Sequence, residues 1–148
     1  ERLQDTLPPI LDAYPVAAAY VYGSVARGTM TPFSDVDIAL LLETPADAPH
    51  SSPPSSGYGQ LMLELTIQGE VEDALKFSPV DVRSINTAPL LVQGRIIQNG
   101  IRIYEKHHAQ RVAFEVATRK RYFDFAPLAK RLQTAFLKHI HEKGLRYG

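Results

Sequence analysis

Apolar residues recur along this chain with two different periods, and the places where the period changes divide it into elements. Leu3, Leu7, Ile10 and Leu11 fall at helical spacing. Pro8 and Pro9 suit only the start or a break of a helix, so a short or interrupted N-terminal helix is expected, ending by Pro15. Residues 16–22 form an unbroken apolar run rich in Val and Tyr and closed by Gly23, the pattern of a buried central strand. Residues 35–43 place Asp35 and Asp37 ahead of Ile38, Ala39, Leu40, Leu41 and Leu42, a second buried strand whose polar end comes first. Leu61, Leu65, Val71 and Leu75 suit an amphipathic helix interrupted at Gly69. In residues 79–85, Val80, Val82 and Ser84 alternate with Asp81, Arg83 and Ile85, which marks a third strand, expected to be buried on both sides. A helix over residues 88–98, closed by Asn99-Gly100, and a short strand over residues 101–104 follow. From His107 the chain turns helical, with Val112, Val116, Leu128, Leu132, Phe136 and Ile140 at helical steps, and Pro127 starting a new helix or kinking a long one.

The alternation predicts an α/β fold with a mixed, twisted sheet flanked by helices and a C-terminal helical extension. The boundaries expected are a core over residues 1–106 and an extension of the same domain over residues 107–148. Residues 44–59 are dominated by Pro, Ser, Gly and Ala without an apolar period, so a mobile surface loop is expected there.

At 148 residues the chain fits one compact domain with a single site. Lys+Arg and Asp+Glu balance at 16 each, so no overall field draws the protein to nucleic acid or to an anionic membrane. With no cysteine, any metal must be held by oxygen or imidazole, and hard cations such as Mg²⁺ are the natural candidates. The longest apolar runs, such as residues 38–42, fall far short of the ~20 residues of a membrane span, and no signal peptide is visible. A cytoplasmic protein is expected.

The chemistry concentrates at strand ends. Gly23-Ser24-Val25-Ala26-Arg27-Gly28 offers a tight turn, an N-cap serine and a one- or two-turn helix, which together aim backbone N–H groups, a hydroxyl and a helix dipole at one point. Phosphate suits that point. Asp35 and Asp37, two apart on a strand, face the same side about 7 Å from one another, and such carboxylates repel unless a divalent cation lies between them. Asp81 can bring a third carboxylate if its strand lies beside the second one.

Each residue also has a plainer reading. Gly23-Ser24 alone can be any strand-to-helix turn, Asp35 a cap, Asp37 a solvated edge residue, and Asp81 an edge acid paired with Arg83. Arg27 can neutralise triphosphate or simply lie on the surface. His107-His108 and His139-x-His141 lack a third ligand and read as surface histidines. Arg119-Lys120-Arg121 reads as a solvated helix face, and Tyr122-Phe123-x-Phe125 as core or partner interface.

Gly23-Ser24, ten intervening residues, Asp35-x-Asp37 and a later strand acid, Asp81, resemble the DNA polymerase beta superfamily of nucleotidyltransferases. The wording Gly-Ser-Val-Ala-Arg-Gly and Ser-Asp-Val-Asp-Ile-Ala-Leu, with the small size, resembles its minimal branch, the MntA-type antitoxins that pair with HEPN-domain toxins. The resemblance spans residues 16–104, and the tail with Arg111, Phe114, Glu115 and Tyr122 is similar to the C-terminal region of these antitoxins in a less specific way. It implies transfer of AMP from ATP to a tyrosine of a HEPN RNase toxin, assisted by Mg²⁺ or Mn²⁺. Asp35 and Asp37 would bind metal, Asp81 would complete the site and act as base, and Gly23 and Ser24, with Arg27 beside them, would hold the nucleoside triphosphate. Neither membrane nor direct nucleic-acid partners are expected, and oligomers stay open. Two rivals remain at this stage: a nucleotidyltransferase for a small molecule such as an aminoglycoside, and an antitoxin that neutralises by binding alone.

Overall fold

The computed structural model describes residues 2–23, 36–44, 57–76 and 79–147. Ser24, Arg27 and Asp35 lie outside the described residues, as does most of the predicted loop. The elements run α1 (Arg2–Leu11), β1 (Val16–Tyr22), β2 (Val36–Leu42), α2 (Gly57–Leu75), β3 (Val80–Ser84), α3 (Leu90–Asn99), β4 (Ile101–Glu105) and α4 (His108–Tyr147). The four strands form one mixed sheet in the order β3-β2-β1-β4, with β1 antiparallel to both neighbours and β2 parallel to β3.

Strand alternation sends the two halves of the core to opposite faces of this sheet. On one face, Ile38, Leu40, Val80 and Val82 pack with Leu7 and Leu11 of α1 and with Ile67, Val71 and Leu75 of α2. On the other, Tyr20, Ala39, Leu41 and Ile85 pack with Ile96 and Ile97 of α3, and Phe114 of α4 lies against them. Truncating a fully buried side chain such as Ile38 or Leu40 to Ala costs about 2–5 kcal/mol, so these layers dominate the stability of the sheet.

Four expectations are changed or narrowed. The N-terminal helix runs unbroken through Pro8 and Pro9; the two missing backbone donors are offset by the complete burial of Leu7 and Leu11. The helix after the loop starts at Gly57, so the loop expected to reach residue 59 ends earlier, and Gly69 does not interrupt it. The C-terminal extension is one long helix with Pro127 inside, so of the two expectations for that proline the start of a new helix does not hold. The third strand is an edge strand with only one face buried, because Asp81 and Arg83 point away from the core.

An exposed edge invites pairing with another chain, and α2 closes this one. Glu72, Gln68 and Glu64, one helical turn apart, accept from the outward backbone N–H groups of Val80, Val82 and Ser84 at 3.0, 3.1 and 2.8 Å. The four-residue step of the helix rises about 6 Å and the two-residue step of the strand about 6.6 Å, so the two ladders stay in register over three rungs. After β3, Asn86 continues the sheet with its side chain: its Oδ1 accepts from the Leu42 N–H at 2.8 Å and its Nδ2 donates to the Leu42 carbonyl at 3.3 Å. No helix of the described residues is long and apolar enough to cross a membrane.

Candidate active site

Register brings the acids together. In the parallel pair β2–β3, Asp37 stands directly beside Asp81, and in the antiparallel pair β1–β2, Tyr22 stands opposite Asp37. Directly registered residues share a face, so Tyr22, Asp37 and Asp81 form one rung across three strands. Neighbouring strands lie about 4.8 Å apart, which makes Asp37 and Asp81 like charges in the least favourable cross-strand position. Nothing about packing requires two carboxylates there. The arrangement makes sense for a site that binds positive charge.

Gly23 closes the rung at the end of β1. Its φ of +73° is a left-handed conformation that non-glycine residues rarely adopt, and a Cβ built on it would lie 2.5 Å from Asp37 Oδ2. The Gly23 backbone thus lies against the carboxylate, a closeness that only a residue without a side chain permits. Ser24, which follows it, and Asp35, the other half of the predicted acid pair, lie outside the described residues. The described part of the site therefore contains Gly23, Asp37 and Asp81.

Arg83, two residues beyond Asp81 on the same face, donates from Nε to Asp81 Oδ1 at 3.1 Å. With side-chain exposures of 70% for Arg83 and 40% for Asp81, this ion pair is weak and easily exchanged for another partner. Asp81 is thus both the edge acid of the plainer reading and the neighbour of Asp37. The Tyr22 phenol has its pKa raised, first by burial and then by the negative charges of Asp37 and Asp81, so it stays neutral in the rung.

The next rung inward on this face is Tyr20, Ala39 and Arg83. Ala39 is the small member, and above it opens a cavity of about 350 Å³ lined by Tyr22, Ala39, Gln60, Glu64, Arg83 and Val92 among others. Its walls come from β3, α2, α3 and the turn between β3 and α3, and Gln60 of α2 donates to Glu64 of its own helix at 3.2 Å and to Thr87 of that turn at 2.8 Å. A cavity of this size beside the acids is large enough for a nucleoside or a side chain. Sequence reading missed Tyr22, Ala39, Gln60 and Glu64 as parts of the site. The signal for Glu64 was present as an acid within the apolar face of a helix.

Hard oxygen donors placed side by side, with a backbone cradle that a Cβ would fill, fit a divalent cation such as Mg²⁺. Among the described residues no group of three or more His, Cys, Asp or Glu assembles. The histidines go elsewhere: His107 Nε2 lies 2.9 Å from Glu43 and His108 Nδ1 lies 2.8 Å from Glu105, both on the surface.

Comparison with known proteins identifies the fold. The family model "Polymerase beta, Nucleotidyltransferase" matches residues 5–109. No curated protein matches the chain. A solved toxin–antitoxin structure with AMP-PNP is 18% identical, with a TM-score of 0.68, covering 90% of this chain and 98% of that one. A complex of a tri-AMPylated Shewanella oneidensis HEPN toxin with an MNT antitoxin is 16% identical, with a TM-score of 0.63, covering 92% and 97%. An MntA–HepT toxin–antitoxin structure is similar to the same degree, at 16% identity and a TM-score of 0.63. The family model covers β1, β2 and β3 with Gly23, Asp37 and Asp81 on them, and the chain belongs to the polymerase beta nucleotidyltransferase family.

Proposed function

We propose that this protein transfers AMP from ATP to a hydroxyl acceptor, a tyrosine of a cognate HEPN-domain toxin, and thereby acts as its antitoxin. The observation that carries the reading is the registered pair Asp37–Asp81 against the positive-φ Gly23. Similarity to solved toxin–antitoxin structures, one with AMP-PNP and one with an AMPylated HEPN toxin, supports the nucleotide and the partner.

Asp35, Asp37 and Asp81 would hold Mg²⁺ or Mn²⁺, which when bound would supply positive charge against the triphosphate. Gly23 and Ser24 would present backbone N–H groups and a hydroxyl to the phosphates, and the Arg27 cation would offset their charge. The acceptor oxygen attacks the α-phosphorus of ATP, the bond from that phosphorus to the bridging oxygen of the β-phosphate breaks, and pyrophosphate leaves in line. Asp81, whose side chain is 40% exposed, accepts the hydroxyl proton.

Calorimetry tests the nucleotide half of this reading. ATP is expected to bind with Mg²⁺ and to lose measurable binding in EDTA, because unneutralised acids repel the triphosphate. Equal affinity with and without metal would exclude the proposed site.

A further inference from the structure

The face of α4 that packs on the body of the protein does not end where the body ends. Phe114, Thr118 and Tyr122 follow one another at four-residue steps; Thr118 is completely buried, and Tyr122 lies over Gly94 of α3, where a Cβ would collide with its ring. The same row continues through Phe125, Leu128, Leu132, Phe136 and Ile140 at steps of three and four. Along it exposure rises from 37% at Phe125 to 62% at Phe136. A helix of 40 residues is about 60 Å long, so its second half projects with the apolar seam uncovered by any described residue.

Charge narrows what can cover it. Between residues 119 and 143 the helix carries Arg119, Lys120, Arg121, Lys130, Arg131, Lys138 and Lys143 against only Asp124 and Glu142, all exposed. Two such helices laid seam to seam would bring like charges together, which disfavours a second copy of this chain. A continuous single row of Leu and Phe flanked by cations suits insertion into an apolar groove between helices whose rim is acidic.

We propose that the projecting half of α4 is the grip on the protein partner, an apolar groove with an acidic rim on the HEPN toxin, separate from the nucleotide site. This rests on the antitoxin reading above. The row is continuous with an interface the helix already makes, so the partner extends the core of this protein along the same seam.

The test uses the whole chain with its cognate HEPN-domain protein in an RNase-inactive form, followed by calorimetry and by chromatography with light scattering. L132D/F136D is expected to weaken binding by about 100-fold, the scale of two interface anchors, while L132M/F136L, which keeps the row apolar, binds like the unmodified protein. Both positions are exposed, and helical circular dichroism and melting should be unchanged. Equal binding by L132D/F136D would overturn the proposal. So would an unmodified chain that is dimeric alone and becomes monomeric on L132D/F136D, or one that sediments with anionic phospholipid vesicles through these residues while L132D/F136D still binds the toxin. Failure of the unmodified chain to bind the HEPN protein at all would instead remove the antitoxin reading itself.

Discussion

Gly23 shows how much one residue without a side chain can decide. Gly23→Ala must place a methyl group on a left-handed backbone, at a cost of about 1–2 kcal/mol, and 2.5 Å from the Asp37 carboxylate. The melting temperature is expected to fall and metal-dependent ATP binding to be lost; unchanged binding would mean the turn is not part of the site. Asp37→Asn keeps the shape and removes the charge, so nucleotide transfer should fall by orders of magnitude while the domain stays folded. At this scale the sequence was informative about residue types and poor about neighbours. The spacing of Gly23, Asp37 and Asp81 was readable, but their shared rung depends on which strands lie side by side, a non-local fact. Ala39 carries no chemical signal of its own; its role follows from standing between Tyr20 and Arg83.

Elements show a second contrast between two glycines in helices. Gly69 lies mid-helix in α2 with nothing within 4 Å of a Cβ, so Gly69→Ala should stabilise the fold by about 0.5–1 kcal/mol. Gly94→Ala should destabilise it, because Tyr122 occupies that space. Denaturant melts of the two variants shifting in the same direction would contradict the packing described for α3 and α4. The edge ladder makes its own prediction: Gln68→Ala leaves the Val82 N–H without an acceptor and should cost about 1–2 kcal/mol, with faster hydrogen exchange at that amide. Elements longer than one apolar period were legible. Continuity through Pro8, Pro9 and Gly69 was not, since each local breaking tendency is overridden by burial or helix length that the window cannot weigh.

The whole molecule joins a compact nucleotide-transfer fold to a projecting basic helix. Where the two meet, burial alone would raise the carboxyl pKa of Glu43, but hydrogen bonds from Lys106 and His107 and their charges bring it below its ordinary value of 4.5. A depressed carboxyl contributes stability above its unfolded pKa and loses it as pH falls through the folded value. Glu43→Gln should therefore lower stability at neutral pH and flatten the acid limb, the two melting curves converging as pH falls below about 4.5. Net charge, balanced over the chain, concealed the basic helix because the compensating acids lie elsewhere. The central claim is that this fold moves a nucleotide onto a protein. Intact-mass spectrometry of the HEPN protein co-expressed with the unmodified chain or with Asp37→Asn tests it most directly. The account predicts one or more AMP adducts with the unmodified chain and none with Asp37→Asn; a toxin of unmodified mass that is nevertheless fully neutralised in both cases would contradict it.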